Sequence, residues 1–317
     1  MTEFELIAKL TRGLPAPASV VRGVGDDCAV LDLGLTGSWV LFKTDAVVEG
    51  VHFEARTPPG KIGRKALARC LSDIAAMAGT PAHALVTLGL PPHFDPARVE
   101  AIYGGLRALA EQHNVAIVGG ETTSNPAGLI LSVALLGTVP KDKCLLRSGA
   151  KPGDAIFVTG TLGGSLGGRH LDFEPRLTEA RWLAASFHIH AMIDVSDGLA
   201  GDLGHILNSS GVGAELRAAS IPVSREAKLR AKSSSRAKPP IVAALTDGED
   251  FELLFTVAGA DAVPLTDAWK REFTDVRLTC IGKVTAEPGL RLRDERGVRS
   301  LAARSFEHFA SDGNGAA

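Results

Sequence analysis

The chain has 317 residues, 45% of them hydrophobic and 22% charged, which fits a folded protein with a sizeable core and excludes a largely disordered one. At this length two domains of about 150 residues each are expected. The formal net charge of −2 gives no broad basic field, so nucleic acid is a poor candidate partner and any phosphate binding must be local. Cys28, Cys70, Cys144 and Cys280 are scattered with no CxxC pair, and MTEFELIAKL is amphipathic rather than a signal peptide. No apolar run approaches the roughly 18 residues that span a bilayer. These features predict a reduced, cytoplasmic protein.

In chain order, β-branched apolar runs predict strands at CAVLDL, SWVLFKTDAVV, HALVTLGL, VAIVGG and LILSVALLGTV. Between them lie two predicted helices. In GRKALARCLSDIAAMAG, Ala66, Leu67, Cys70, Ile74 and Met77 recur at helical spacing, and Gly79 with Pro81 ends the run. In DPARVEAIYGGLRALAEQHN, Asp95 and Pro96 read as cap and first turn. The segment 139–154, rich in Lys, Pro and Gly, reads as an interdomain connection. Beyond it come a strand at AIFVTG, a glycine-rich turn, helices near 177–188 and 198–209, and strands at GAELRA, FELLFTV and LTCIGKV. The basic stretch 228–240 reads as a solvated loop.

Acidic residues recur beside or inside apolar segments: Asp26, Asp27, Asp45, Asp73, Glu121, Asp194 and Asp197. Any one alone would read as a cap or turn residue, as Asp202 and Asp247 do. Together they would repel unless cations neutralise them, and carboxylates with nearby Ser and Thr suit Mg²⁺ rather than zinc. The Gly119–Gly120 turn and the Gly160–Gly168 run could contact phosphate, the second no more readily than it could form tight turns. Arg147 could pair a phosphate bidentately. No GxSxG, HExxH or HRD signature is present, which removes sequence support for serine hydrolysis, zinc proteolysis and the protein-kinase mechanism.

The motifs VGDDCAVLD, KTDAVVEGVHF, ALARCLSDIAAMAGTPAHALVTLGLP, VGGETT, LLRSGAKPGDAIFVTGTLGG, IDVSDGLAGDLGHI and DGEDFELLFTV, in this order over nearly the whole chain, resemble the thiamine-monophosphate kinase family of the PurM-like (AIR synthetase) superfamily. The resemblance implies a two-domain α+β fold. Residues 1–140 would form a mixed sheet that dimerises, 141–309 an α/β sandwich domain, and 310–317 a flexible tail. It further implies an enzyme that uses ATP and Mg²⁺ to convert thiamine monophosphate to thiamine diphosphate by direct in-line transfer, as a homodimer. Asp27, Thr44, Asp45, Asp73, Glu121, Asp194 and Asp197 stand at metal positions, Tyr103, Gly120, Glu121, Arg147 and Ser196 at ATP positions, and His52, Glu249 and Phe306 at substrate positions. Asp45, Arg147 and Asp197 would carry catalysis. A related kinase or synthetase acting on another small phosphorylated substrate, or a weakly active nucleotide-binding paralogue, stays open as the alternative.

Four features depart from the family pattern. Lys43 replaces a Ser or Thr that helps bind metal, Glu121 replaces Asp, Asp247 replaces a glycine, and RHLDFEPRLTEARW is a shortened stretch. Lys43 matters most, because an ammonium cannot ligate Mg²⁺ but can stand in for a cation by pairing carboxylates.

Overall fold

The computed structural model describes residues 3–233 and 237–301. The first half runs α1 (Glu3–Thr11), β1 (Val20–Arg22), β2 (Ala29–Leu31), β3 (Ser38–Val48), α2 (Pro59–Ala76), β4 (Thr80–Leu90), α3 (Pro96–Gln112), β5 (Ala116–Ser124) and β6 (Ile130–Pro140). Its sheet has the order β1-β2-β3-β6-β4-β5, antiparallel except for the β4–β5 pair.

The second half runs β7 (Ala155–Thr159), α4 (Leu177–Ser186), β8 (Ile189–Asp194), α5 (Leu199–Ser210), β9 (Gly213–Arg217), α6 (Arg225–Ser233), α7 (Pro240–Thr246), β10 (Leu253–Val257), α8 (Ala262–Glu272), β11 (Leu278–Thr285), β12 (Gly289–Asp294) and β13 (Gly297–Ser300). Its seven strands follow the order β13-β12-β9-β11-β7-β10-β8, with β9 and β12 parallel. The architecture is the expected two-domain α+β one. No helix among the described residues is long and apolar enough to cross a membrane.

The expected strand SWVLFKTDAVV is β3 without change of bounds, because its β-branched run carries no breaker. Period-two alternation sends Leu41, Lys43, Asp45 and Val47 to the face that meets α2, and Phe42 and Thr44 to the opposite, exposed face. Helix α2 starts earlier than expected, since Pro59 fits the first helical turn. It is buried almost all round, with Ile62, Leu67, Cys70, Leu71 and Ile74 at most 0% exposed. Lys61 and Arg64 are partly exposed, and a polar stripe, Lys65, Arg69 and Asp73 at i, i+4 and i+8 with Ser72 beside it, runs along one side of the helix. Helices α2 and α3 touch backbone to backbone: a Cβ on Gly63 would lie 1.8 Å from the Ile102 carbonyl oxygen, so only glycine fits. Asp95 caps α3 as expected, accepting from the Ala97 N–H at 3.0 Å.

Two expectations are corrected. Gly119 and Gly120 form no turn: β5 continues through them to Ser124, and a Cβ on Gly120 would sit 1.8 Å from the Val86 carbonyl oxygen of β4. The described residues of the basic stretch 228–240 are no free loop either. Residues 225–233 form α6, and Arg230 and Lys238, the latter at 3.2 Å, both pair with Asp247. Asp247 is 4% exposed and also accepts from the Gly164 N–H at 3.3 Å, so it is a pin between segments rather than a simple turn residue.

Candidate active site

The acidic residues converge where the two halves meet. Asp27 comes from the loop before β2, Lys43 and Asp45 from β3, Asp73 from the end of α2, Asp194 from the last position of β8, and Asp197 and Asp202 from the turn into α5 and its first turn. All but Asp27 border a cavity of about 270 Å³ together with Arg69, Arg147, Ser196, His205 and Phe251, while Glu3 and Ile7 of α1 line it too; Asp27 stands behind this lining, paired with Arg147.

Asp27, Asp73 and Asp194 are all buried and present one oxygen each within 4.8 Å of the others. Asp27 Oδ1 accepts from Arg147 Nη2 at 2.7 Å, but Asp27 Oδ2 is buried without a hydrogen-bond partner. Such an orphaned oxygen costs on the order of 1–3 kcal/mol. Burial pushes the Asp73 carboxyl well above the usual range despite Lys43, and Asp45, Asp194 and Asp27 add to the rise. Burial, followed by the charge of Asp27, pushes Asp194 up to about 7, against a Ser72 hydroxyl that donates to it at 2.5 Å. A divalent cation fits this set: it would satisfy Asp27 Oδ2 and offset the repulsion, and three carboxylates suit Mg²⁺.

Fixed cations surround the cluster. Lys43 Nζ lies 2.9 Å from Asp73 and 3.8 Å from Asp45, and Arg69 Nε 3.9 Å from Asp45. Burial opposes the charge on Lys43, but Asp73 and Asp45 outweigh it and raise its pKa. Arg147 bridges the halves. Its backbone N–H donates to Asp26 at 2.7 Å and its guanidinium to Asp27, while its Nε is buried and unpartnered, a donor suited to an anion. Asp202, read from sequence as a cap or turn residue, accepts from the Asp197 N–H at 3.1 Å and is 1% exposed in the cavity wall.

A second charged cluster adjoins this one. Lys65 is 0% exposed; its Nζ donates to the His52 carbonyl oxygen at 2.6 Å and to Glu249 Oε2 at 2.7 Å, and lies 2.8 Å from His170 Nδ1, which is itself 2.9 Å from the same Glu249 oxygen. Burial pulls Lys65 down to about 8 against the pull of Glu249. Burial would raise Glu249, but the His170 hydrogen bond and the Lys65 ammonium outweigh it and bring the carboxyl down to about 2. Glu249 and Phe251 hold left-handed φ of 54° and 51°, an uncommon backbone for such side chains. The Glu249 N–H donates to the Ser196 carbonyl at 2.6 Å, the Phe251 N–H to Val195 at 2.7 Å, and the Phe251 ring stacks on Phe173 at 4.0 Å. His52 Nδ1 accepts from the Val48 N–H at 3.1 Å, which leaves the neutral ring's proton on Nε2. Glu49, in the same strand-to-helix segment, accepts from the Leu129 N–H at 3.0 Å and ties β3 to β6.

The structure thus gathers Asp45, Asp73, Arg147, Asp194, Ser196 and Asp197 around one cavity, with Asp27 beside Asp73 and Asp194 and paired to Arg147, and with Glu249 and His52 joined through Lys65. It does not bring the others to that cavity. Thr44 points to the opposite face of the sheet, 3.5 Å from the Ser132 hydroxyl. Glu121 and Gly120 are exposed on the edge strand β5, and Tyr103, on α3, is partly buried against the hydrophobic core. Phe306 and the tail 310–317 lie outside the described residues. In the glycine run, Gly163 N–H and Gly164 N–H are committed to Asp250, at 2.8 Å, and Asp247. Reading the sequence passed over Lys65, Arg69, Ser72 and His170. The polar stripe on α2 was their signal; His170 had none.

Two family models match the chain, AIR synthase related protein N-terminal domain over residues 25–139 and its C-terminal domain over 151–295. A thiamine-monophosphate kinase from Rhodopirellula baltica is 42% identical over 289 residues, covering 88% of this chain and 87% of the relative. The thiamine-monophosphate kinase of Escherichia coli K12 is 36% identical, with 98% of each chain covered. A solved structure described as AaThiL complexed with AMPPCP and TMP superposes with a TM-score of 0.83 at 30% identity, covering 97% of each chain.

Proposed function

The chain belongs to the thiamine-monophosphate kinase family of AIR synthase-related proteins, and we propose that it transfers the γ-phosphoryl group of ATP to the phosphate of thiamine monophosphate, giving thiamine diphosphate and ADP. The observation that carries this reading is the buried Asp27–Asp73–Asp194 triad with its orphaned oxygen, facing the guanidinium of Arg147. Donor and acceptor are both phosphates, and their repulsion is the main obstacle to an in-line encounter.

Mg²⁺, held by Asp27, Asp73 and Asp194 and in our reading also by Asp45 and Asp197, would supply positive charge to the transferring phosphoryl group. The chain's own residues do the rest. Arg147 Nε offers a buried donor to a phosphate oxygen, and Arg69 adds a second fixed positive charge at the wall. An oxygen of the acceptor phosphate forms the new P–O bond as the bond to the β-phosphate breaks, and ADP leaves with that electron pair. The acceptor is already ionised, because a phosphate monoester's second pKa is about 6, so no general base is required. Glu249, kept anionic by Lys65 and His170, suits the cationic ring system of the acceptor, with His52 beside it. Contact of Ser196 with ATP belongs to the same proposal, as do stacking by Phe306, ATP contacts of Tyr103, Gly120 and Glu121, and a metal role for Glu121, these last three residues lying outside the cavity lining; Thr44, turned to the opposite face of the sheet, is left out of the metal set.

The domain boundary is placed at 140/141, supported by family models that end at 139 and begin at 151. A homodimer is supported by exposed apolar residues on the sheet face away from α2: Phe42 and its cross-strand partner Leu136, and Leu85. Four free cysteines accord with a cytoplasmic enzyme. Incubation with thiamine monophosphate, ATP and Mg²⁺ tests the activity: thiamine diphosphate and ADP should form in equal amounts, and no diphosphate would overturn it.

A further inference from the structure

We infer that the ammonium of Lys43 permanently fills one cation position of this centre, the gap between Asp45 and Asp73, and so keeps divalent cations out of that gap, leaving them the Asp27–Asp194 side and the oxygens of Asp45 and Asp73 that face away from Lys43. The inference rests on the metal part of the proposed function and concerns how this chain meets it. Strand parity leaves Lys43 no other direction. It stands two residues from Asp45 on the face of β3 that buries Leu41 and Val47, so its chain must run toward α2, where Asp73 waits at 2.9 Å. Asp45 closes the other side at 3.8 Å, and Arg69 backs that same carboxylate at 3.9 Å.

The electrostatics exclude a shared occupancy. A dication sharing the gap with the ammonium, about 4 Å from it, would be repelled by roughly 8 kcal/mol at an effective dielectric constant of about 20, with Asp45 and Asp73 already paired to the ammonium, whereas on the triad side Asp27 and Asp194 offset that repulsion. Mg²⁺ also needs oxygen ligands at about 2.1 Å, and the Asp73 oxygen that Lys43 holds is turned to a donor that cannot ligate. The orphaned buried oxygen of the cluster is Asp27 Oδ2, and Asp27 forms its ion pair with Arg147. The demand for a metal is therefore on the Asp27–Asp194 side, and the demand of the Asp45–Asp73 side is met by the chain itself. A fixed ammonium is present at every Mg²⁺ concentration, so this part of the charge needed against two phosphates does not depend on metal supply.

The test counts bound Mn²⁺ by electron paramagnetic resonance in the intact protein with a non-hydrolysable ATP analogue, comparing wild type, Lys43→Thr and Lys43→Arg. Lys43→Thr should bind one more Mn²⁺ per chain than wild type, and Lys43→Arg the same number as wild type. An equal count in Lys43→Thr and wild type would overturn the inference while leaving the kinase reading intact. Absence of bound Mn²⁺ from the wild type would overturn the metal reading itself and the inference with it. Anomalous scattering from Mn²⁺-soaked wild-type crystals gives a readout independent of any variant's folding. Metal should touch Asp27 or Asp194, and a peak bridging Asp45 and Asp73 with Lys43 displaced would sink the idea.

Discussion

Lys43 Nζ lies 2.9 Å from Asp73 Oδ1, joining a strand residue to a helix residue at the floor of the cavity. Removing one partner of a buried pair leaves the other charge uncompensated, at a cost of about 3–5 kcal/mol. Lys43 is 22% exposed, so the low end applies. Lys43→Met should therefore lose about 3 kcal/mol of stability without metal. Added Mg²⁺ should stabilise this variant more than it stabilises wild type, because a cation can enter the vacated gap. Urea unfolding with and without Mg²⁺ checks this, and equal Mg²⁺ effects in both proteins would contradict it.

Asp45 behaves differently because its ion pairs are long, 3.8 Å to Lys43 and 3.9 Å to Arg69. Partly exposed pairs at such lengths contribute at most about 1 kcal/mol. Asp45→Asn should thus keep its unfolding midpoint near that of wild type. Its turnover should fall roughly 100- to 1000-fold, the range for losing one preorganised electrostatic group. Steady-state kinetics beside thermal unfolding separates the two effects, and a retained rate would reject a catalytic part for this carboxylate.

The exposed face of the first sheet gives a third expectation. Phe42 is 45% exposed, its cross-strand partner Leu136 38% and Leu85 49%, a grouping that water disfavours on a free surface. Leu85→Asp should convert a dimer to a monomer with the fold retained, since the side chain points away from α2. Light scattering after size-exclusion chromatography would show the mass halved; an unchanged mass would move the interface elsewhere.

The sequence made β3 and the acidic set legible for separate reasons. A β-branched run without breakers defines its own bounds, and carboxylates inside apolar segments are conspicuous because burial must be compensated. Partnership was not legible in the same way. Lys65 and Glu249 are 184 residues apart, and nothing local says that the DGED turn folds onto α2. Thr44 looked equivalent to its neighbours Lys43 and Asp45 in the motif, yet strand parity sends it to the other face. The basic stretch read as a loop because composition cannot reveal that Asp247 is a buried counter-charge for Arg230 and Lys238.

Glu249 sets the acid limb of stability. Its folded pKa, about 2, lies below the ordinary 4.5, so its contribution is fully present above about 4.5 and is lost as pH falls toward 2. At roughly 1.4 kcal/mol per tenfold change in proton affinity, the contribution is on the order of 3 kcal/mol. Lys65 acts at the other end with its own sign. Its folded pKa of about 8 lies below 10.5, so the folded state sheds this proton first and the group's contribution rises between those values. Glu249→Gln should flatten the loss of stability between pH 5 and pH 3 (about the upper half of that window), measured by urea midpoints; an unaltered acid limb would contradict the assignment.

Lys65 makes the last expectation specific to the substrate side. Its ammonium holds the Glu249 carboxylate and the His52 carbonyl beside the His170 ring, and it touches neither Asp27 nor Asp194 in any ion pair or hydrogen bond of the described residues. Removing it frees the left-handed Glu249 turn and the segment carrying His52, both assigned to the acceptor, while leaving Arg147 and the buried triad in place. Lys65→Met should raise the KM for thiamine monophosphate by about tenfold, equivalent to ~1.4 kcal/mol of lost binding. The KM for ATP should change far less, and Lys65→Arg should recover part of the loss by restoring the charge. A general loosening of the fold would instead raise both KM values together. Equal shifts in Lys65→Met would therefore reduce Lys65 to a structural ion pair, whereas a selective shift places it behind the acceptor's binding site.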